Sequence, residues 1–331
     1  MSRLGLTVSF FNALPLDDFF AVVREAEDRG YDTAWSGEAT AGDAFTPLTL
    51  IATHARRLRV ATGVVPVQTR TPVLLGLTAA ALGRLAPDRV ALGLGLSSPV
   101  VVEQWNGVRF NRSLDQLREA VQIIRGVLAG ERVTVDGKFY RVRNFRLSGS
   151  VPRGVKIYLA ALGPRALELA GEIADGVLLN WISPETVPQS IRHLTAGAER
   201  AKRSLDGFEI AAFIRTCVTD DPGPARQWLA REITAYSTVD AYAEFFRSSG
   251  FAAEVDALRA AWSRGDRAGA VRQVSDRFLD GLGVVGPAEF CRARIGEFAR
   301  AGLTMPVVNP FSPDGGGEPK PALLRTIRTF P

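Results

Sequence analysis

The chain is poor in the residues that most often build metal and covalent sites, with two cysteines and two histidines among 331 residues. Cys217 and Cys291 lie in separate parts of the chain and have neither disulfide nor zinc-site spacing. His54 and His193 fall in segments with a helical pattern, where packing on the helix surface is the expected role. The nucleophile-elbow pattern GxSxG is also absent. We therefore expect no metal site, no activated serine, and two reduced thiols in a cytoplasmic protein.

Long apolar runs are also missing from the sequence. No run approaches the ~18 apolar residues that a membrane helix needs, and residues 1–11 enter a strand pattern without the small-residue cleavage site of a signal peptide. The net charge of +5 comes from 40 basic and 35 acidic residues. The basic residues are scattered among the acidic ones, without a basic run or an aromatic–basic motif. We expect a small-molecule substrate, and neither a membrane nor a nucleic-acid partner.

The chain does contain one unit, a strand followed by a turn and a helix, that repeats along its length. The clearest copy is an apolar strand at 89–95, a small-residue turn at 96–98 and a helix that begins at Pro99. A later helix, at 113–129, begins with a predicted capping box formed by Ser113 and Gln116. The predicted strands are residues 4–10, 31–36, 58–65, 89–95, 156–161, 176–181, 208–218 and 305–308.

This continuous alternation predicts an α/β fold, the (β/α)8 TIM barrel. Two segments exceed what the alternation needs. Residues 131–150, after the fourth strand, read as a β-hairpin that turns at Asp136-Gly137, and residues 225–280, before the eighth strand, read as mostly helical. We expect both to be insertions on a single domain, 1–331. A doubly wound sheet is the alternative, but nothing in the sequence marks a reversal of strand order.

In a TIM barrel the functional residues come from the C-terminal ends of the strands. These ends carry few acids and bases, but the turns at 96–98 and 162–165 place small residues before a helix, where free N–H groups favour an anion or a polar ligand edge. Gly93 and Gly95 are followed by Ser98 where a dinucleotide fingerprint has its third glycine, so that motif is excluded. Such a site suggests that a bound cofactor carries the chemistry. Other strand-end residues are Gly37, Gln68, Asn180, Trp181 and Asn309.

Four segments, in order, carry a more specific signal: GYDTAWSGE (30–38), RVATGVVPVQTRTP (59–72), LGLGLSSPVVVEQWNG (92–107) and IYLAALGPRALELAGEIADGVLLNW (157–181). In these motifs the chain resembles the bacterial luciferase-like family, in the branch that uses the deazaflavin coenzyme F420. The resemblance covers nearly the whole chain. It implies F420 as the cofactor, with FMN as the alternative because FMN-dependent members share the barrel. It also implies a homodimer formed through barrel helices.

The resemblance further implies where the cofactor is bound. In relatives the third strand ends in a non-prolyl cis peptide bond that supports the middle of the ring, and the matching bond here is Gly63–Val64. The residues implied at the polar edge of the ring are Leu96, Ser97 and Ser98. The residues implied at the cofactor phosphate are Leu162, Gly163, Pro164 and Arg165.

At three positions the chain departs from the pattern of some relatives. Where those relatives have a His after the acid of the second loop, and a Trp four residues further on, this chain has Ala39 and Asp43. The Glu that serves as a proton donor in some relatives is replaced by Ser98. The acid–base set of the sugar-phosphate enzymes is therefore absent, and the resemblance does not imply that substrate.

Two acidic residues of the second loop remain as candidate catalytic proton donors, Glu38 and Asp43. We expect their pKa to be raised in a closed pocket. For Glu38 the alternative is a structural hydrogen-bond partner at the barrel mouth. Trp105, Trp181 and Phe110 are candidates for an apolar wall over the ring, with ordinary core packing as the alternative.

The resemblance implies an oxidoreductase that transfers a hydride between F420 and a small organic substrate. One alternative is an FMN-dependent monooxygenase. Another is a non-catalytic flavin-binding or partner subunit, since the family contains such subunits and the missing His and Trp are compatible with one. The retained cofactor turns argue against this last alternative, because without a ligand nothing would require them.

Overall fold

The computed structural model describes residues 3–40, 42–111, 113–313 and 318–330, and eight parallel strands in these residues form a closed ring. In chain order the strands are β1 (Gly5–Thr7), β2 (Thr33–Ser36), β3 (Arg59–Thr62), β4 (Val65–Pro66), β5 (Val90–Gly95), β6 (Val133–Asp136), β7 (Arg141–Phe145), β8 (Lys156–Ala160), β9 (Gly176–Asn180), β10 (Glu209–Val218), β11 (Gly283–Gly286) and β12 (Met305–Pro310). The ring runs through β1, β2, β3, β5, β8, β9, β10 and β12, and β12 pairs with β1. The predicted TIM barrel is confirmed.

Helices surround this ring. They are α1 (Leu16–Asp28), α2 (Phe45–His54), α3 (Pro72–Leu85), α4 (Leu114–Leu128), α5 (Pro164–Ile173), α6 (Val187–Arg200), α7 (Pro222–Ser237), α8 (Asp240–Phe246), α9 (Ala252–Ser263), α10 (Arg267–Arg272), α11 (Asp276–Leu282), α12 (Ala288–Arg300) and α13 (Lys320–Thr329). In α1 the buried residues Phe19, Val22, Val23 and Ala26 recur at the helical period, so one face packs on the barrel. Among the described residues, no helix combines the length and apolar character needed to cross a membrane.

Three local features differ from the sequence-based expectation. The third predicted strand divides into β3 and β4, because the chain leaves the ladder at Gly63–Val64 before Val65 pairs with Leu94. An additional short strand, β11, pairs with the last four residues of β10. The Ser113–Gln116 capping box is wrong: within the described residues the Ser113 side chain makes no cap, and the Gln116 amide instead donates to the Tyr140 hydroxyl at 3.1 Å.

The two long connections have the predicted secondary structure. β6 and β7 pair antiparallel between the fourth and fifth barrel strands. The turn is longer than expected, since Asp136 pairs with Arg141 and leaves four residues in the loop. The Glu119 carboxylate of α4 accepts three loop N–H groups, those of Lys138, Phe139 and Tyr140, and this long-range contact fixes the loop. Helices α7 to α11 fill the connection before β11.

The barrel interior is closed at its N-terminal end by a buried carboxylate. Glu209, at the start of β10, is 1% exposed and accepts hydrogen bonds from Arg59, Lys156 and Tyr158. Above this cluster the interior is filled by side chains from alternate positions of the strands. They include Trp35, Ala61, Ala91, Tyr158, Leu178, Ala211, Met305 and Val307. This packing leaves the C-terminal end of the barrel as the place for a site.

Candidate active site

The C-terminal mouth of the barrel has two unlike halves. Side chains two residues apart on a strand share a face, so the inward face of β10 that carries Ala211 and Phe213 also carries Arg215. The strand register places Arg215 beside Asn309, and the Thr7 hydroxyl donates to Asn309 Oδ1 at 2.6 Å. The inward residues of this polar half are Thr7, Asn180, Arg215 and Asn309. On the opposite half the corresponding positions are glycines: Gly37, Gly63, Gly93 and Gly95.

The glycines make room for a bulge at the end of β3. The peptide bond Gly63–Val64 is cis, as the resemblance implied. A Cβ atom on Gly37 would lie 2.8 Å from the Gly63 carbonyl oxygen, and one on Gly95 would lie 2.7 Å from Val64 Cγ2. A Cβ atom on Gly93 would approach the Thr62 carbonyl oxygen to 2.0 Å. This half of the mouth is therefore a floor with few side chains, to which a planar ring can approach closely.

The bulge is also tied to the end of β2. The Gly63 N–H donates to the Ser36 carbonyl at 2.7 Å, and the Glu38 N–H donates to the Val64 carbonyl at 3.3 Å. From below, a Cβ atom on Gly63 would meet the Phe213 ring at 2.4 Å. Backbone and core contacts thus hold the floor in one position.

The turn after β5 lies at the edge of this floor. Leu96, Ser97 and Ser98 are each half-buried. Ser98 begins the following helical turn, since its carbonyl accepts the Val102 N–H at 2.9 Å and its hydroxyl accepts the Val101 N–H at 3.4 Å. The Ser97 hydroxyl makes no hydrogen bond within the described part of the chain. It is therefore available to a polar ligand edge.

The turn after β8 forms a second polar edge. Gly163 precedes α5, Pro164 is in its first turn, and no side chain of the described residues caps this N-terminus. Gly163, Pro164 and Arg165 are exposed, and Leu162 is half-buried. A Cβ atom on Gly163 would meet nothing within 4 Å. A free helix N-terminus with open space in front of it and an arginine beside it suits a phosphate.

The two predicted acidic residues lie together, held by an arginine that the sequence analysis missed. Arg70 Nε donates to Glu38 Oε1 at 3.1 Å and to Oε2 at 3.0 Å, and Arg70 Nη2 donates to Oε2 at 2.7 Å. Arg70 Nη2 also donates to Asp43 Oδ1 at 3.2 Å. The sequence signal was available, because Arg70 lies in the second matching motif segment, between β4 and α3. Both Glu38 oxygens are therefore already engaged.

The expected rise in the pKa of Asp43 is wrong. Partial burial by itself raises this pKa, but hydrogen bonds from Thr46 and Phe45 and the charge of Arg70 outweigh burial, so the pKa is lowered. The backbone N–H groups of Phe45 and Thr46 donate to the two carboxylate oxygens, each at 2.9 Å. Asp43 thus stabilises the first turn of α2 in its ionised form.

The three candidate aromatic residues do not form one wall. Trp181 is fully buried and packs edge-on against Tyr236 and Phe246. Trp105 is 54% exposed. No ring contact joins Trp105, Phe110 and Trp181 within the described ranges. Trp181 instead belongs to the polar half of the mouth, where the Arg215 guanidinium lies 3.7 Å from its ring centroid.

The remaining candidates for direct chemistry lie elsewhere. His54 stacks on Phe20, and His193 lies 3.6 Å from Glu168 on the outer helices. Cys217 and Cys291 are buried and form no disulfide with each other. Across the part of the chain that the structure describes, no three His, Cys, Asp or Glu residues are grouped so as to hold a metal ion.

Sequence comparison with known proteins finds one family model and several relatives that match most of the chain. A family model described as luciferase-like monooxygenase matches residues 4–305. A Mycobacterium tuberculosis protein, provisionally named as a coenzyme F420-dependent oxidoreductase, is 32% identical over 94% of this chain and 95% of the relative. A 5,10-methylenetetrahydromethanopterin reductase of Archaeoglobus fulgidus is 29% identical over 88% of this chain and 89% of its own length.

Comparison of structures gives the same fold. The coenzyme F420-dependent tetrahydromethanopterin reductase of Methanopyrus kandleri superposes with a TM-score of 0.78 at 21% identity, covering 99% of this chain and 98% of the other. An F420-dependent secondary alcohol dehydrogenase, in complex with an F420-acetone adduct, superposes with a TM-score of 0.75 at 18% identity, covering 100% and 99%. At these identities the likeness concerns the fold alone.

Proposed function

Because the chain belongs to the luciferase-like monooxygenase family, we propose that it is an oxidoreductase that transfers a hydride between coenzyme F420 and a small organic substrate. The observation that carries the proposal is the glycine-lined floor at Gly63–Val64, with two polar turns beside it, after β5 and after its neighbour β8. A relative named for F420, 32% identical over 94% of this chain, supports F420 over FMN.

The residues present fit a deazaflavin with a phosphate-bearing side chain. The floor of Gly63 and Val64 would support the ring, because Gly37, Gly93 and Gly95 allow the backbone to approach it. Leu96, Ser97 and Ser98 would contact the polar edge of the ring. Leu162, Gly163, Pro164 and Arg165 would hold the phosphate through helix N–H groups and the guanidinium. When bound, F420 supplies a two-electron hydride donor or acceptor.

The protein's own residues would orient the substrate and handle one proton. Glu38 is the candidate for that proton, but Arg70 already binds both of its oxygens. Oε1 accepts one of these hydrogen bonds and Oε2 accepts two, so a lone pair of Oε1 remains for that proton. Asp43 is a weaker candidate because its carboxylate stabilises α2 in the ionised form. We therefore assign Asp43 to positioning Arg70 and the second loop.

The proposal includes a homodimer that buries α2 and α3. Three leucines on α3 point outward, Leu74, Leu77 and Leu85, with exposures of 47%, 38% and 46%. α3 has one charged side chain, Arg84, and α2 has none apart from His54. A helix that is apolar on every side is usually covered. A second copy of the chain, presenting the same face, would cover these leucines.

The test is a fluorescence titration of the purified protein with F420 and, in parallel, with FMN. We expect F420 to bind at least tenfold more tightly than FMN. Preference for FMN would transfer the proposal to a monooxygenase, with oxygen consumption as the next assay. Binding of F420 without turnover of any alcohol, aldehyde or enone would favour a non-catalytic subunit. Binding of neither cofactor would refute the cofactor assignment.

A matched pair of glycine variants makes the titration specific to the proposed site. Gly163→Ala adds a methyl group in open space before α5, so it should fold normally but displace the phosphate and weaken F420 binding by tenfold or more. Gly223→Ala is the control, at the start of α7, where a Cβ atom would meet only Asp221 Oδ1 at 3.4 Å. It should bind F420 as the unmodified protein does.

A further inference from the structure

One buried cation at the barrel mouth has no counter-charge in contact with it among the residues that the structure describes. Arg215, near the C-terminal end of β10, is 5% exposed. Its Nη1 donates to the Asn180 side-chain carbonyl, and its guanidinium carbon lies 3.7 Å from the Trp181 ring centroid and 5.5 Å from that of Tyr236. None of these neighbours is an anion at neutral pH. The hydrogen bond to Asn180 and the two ring contacts fix the guanidinium in place.

The charged and titratable groups around Arg215 do not neutralise it directly. In residues 3–40, 42–111, 113–313 and 318–330, no carboxylate forms an ion pair with Arg215. Glu232 on α7 acts on Arg215 only through its charge, and burial raises the pKa of that carboxyl. Tyr242 carries no negative charge at neutral pH, since burial raises the pKa of its hydroxyl to about 12. By contrast Arg59, a half-buried arginine at the N-terminal end of the barrel, contacts two carboxylates, those of Asp32 and Glu209.

A second donor in the same corner also lacks an acceptor. Trp181 is fully buried, and its indole Nε1 has no hydrogen-bond partner within the described residues. Trp181 also has a φ angle of 55°, in the left-handed region that side chains other than glycine seldom adopt. Such outliers cluster at ligand sites, where the surrounding structure enforces them. This corner therefore holds two fixed donors: Arg215, whose charge has no ion-pair partner among the described residues, and Trp181, whose indole N–H has no acceptor there.

Burying a charge without a partner is costly, and a ligand that supplies the opposite charge removes the cost. We propose that Arg215 is the binding residue for a planar anionic group at the barrel mouth. A guanidinium binds a carboxylate through two parallel N–H···O bonds, so its planar fork selects this shape over a spherical ion.

The position of Arg215 relates this site to the reaction, and in that respect the inference rests on the proposed function. Arg215 lies on the polar half of the mouth, opposite the floor at Gly63–Val64. A substrate held by its carboxylate at Arg215 would extend across the mouth toward that floor. The anionic edge of the deazaflavin ring presents the same chemistry, so the experiment must separate substrate from cofactor.

The probes are benzoate and benzamide, which share a shape and differ in charge, titrated calorimetrically into the full chain with and without saturating F420. We expect benzoate to bind at least tenfold more tightly than benzamide. Arg215→Gln should abolish that difference, and Arg215→Lys, which keeps the charge but not the fork, should reduce it. If Arg215→Gln fails to fold, the lysine variant still decides the outcome.

Asn180→Asp provides the matched test, because it places a carboxylate of nearly equal shape beside Arg215. An internal anion should weaken benzoate binding tenfold or more and at the same time raise the midpoint of thermal unfolding. A purely structural clamp predicts the rise in the midpoint without the loss of benzoate binding. Loss of F420 affinity in Arg215→Gln, with no benzoate binding to the unmodified protein, would identify the cofactor ring as the anion.

The inference is overturned if Arg215→Gln and Asn180→Asp bind benzoate and F420 as the unmodified protein does. Failure of the proposed function gives a different result. In that case F420 does not bind the unmodified protein at all, while the benzoate titration of the three variants still reports on Arg215.

Discussion

The buried Glu209 cluster allows a stability prediction whose size follows from the structure. Burial alone would raise the Glu209 pKa, but hydrogen bonds from Lys156 and Tyr158 and the charge of Arg59 outweigh it and lower the pKa to about 2. The ordinary value is 4.5. At 1.36 kcal/mol per pKa unit, the ionised carboxylate therefore stabilises the fold by about 3 kcal/mol at neutral pH.

The sign of the pH dependence follows from the lowered pKa. The stabilisation is fully present above the unfolded-state pKa near 4.5 and is lost as the pH falls toward the folded-state value of about 2. By pH 3 it should have fallen to about 1 kcal/mol. Glu209→Gln removes the carboxylate and leaves Arg59, whose side chain is 13% exposed, with Asp32 as its remaining carboxylate partner. We expect this variant to lose about 3 kcal/mol at pH 7, and the gap to narrow in acid.

The assay is urea unfolding of both proteins at pH 7, 5 and 3, followed by far-UV circular dichroism. The control is Asp136→Asn on the hairpin, whose ion pair with Arg141 has side chains 78% and 76% exposed. It should cost under about 1 kcal/mol at any of these pH values. A Glu209→Gln variant as stable as the unmodified protein at pH 7, or a gap that stays constant down to pH 3, would refute the reasoning.

The other two predictions concern the mouth and the outer helices. Glu38→Gln should lower kcat by about a hundredfold if Glu38 handles the proton, and full turnover in this variant, followed by stopped-flow F420 absorbance, contradicts the assignment. Asp43→Asn should change kcat by only severalfold. It should cost about 1 kcal/mol of stability, measured by thermal unfolding, because it weakens the start of α2. Leu77→Asp should convert the dimer to a monomer, with the molar mass measured by light scattering. The control Leu16→Asp changes a residue on α1 that is 51% exposed, and it should leave the mass unchanged. A monomeric unmodified protein contradicts the dimer.

The fold was predictable because its signals are local. Each strand–turn–helix unit occupies one continuous segment, and each segment carries its own apolar run and helix start. The cis bond at Gly63–Val64 was predicted from the resemblance to the family, because this bond and the neighbouring glycines lie in three of the matching motifs. The hairpin loop was less predictable, because Glu119 on a different element fixes its length.

Asn180 and Asn309 were predicted as strand-end residues, but the grouping that forms the polar half of the mouth could not be predicted in the same way. Thr7, Asn180, Arg215 and Asn309 lie on four strands that are far apart in the sequence, and only closure of the barrel brings them together. Arg215 also follows an apolar run, residues 210–214 of β10, so its immediate neighbours in the sequence do not indicate a charged site. The pairing of Glu38 with Arg70 was missed for a related reason, since it joins the ends of two different barrel strands.

Strand β10 carries two buried charges that act on stability in opposite directions. Glu209, at its N-terminal end, is surrounded by cations and should stabilise the fold. Arg215, near its C-terminal end, is buried without an ion pair among the described residues, so it should cost stability until a ligand arrives. This distribution matches the division of a TIM barrel into a stability face and a functional face. Neutralising each charge should therefore have opposite effects: Glu209→Gln destabilises, whereas an internal carboxylate beside Arg215 stabilises and blocks binding.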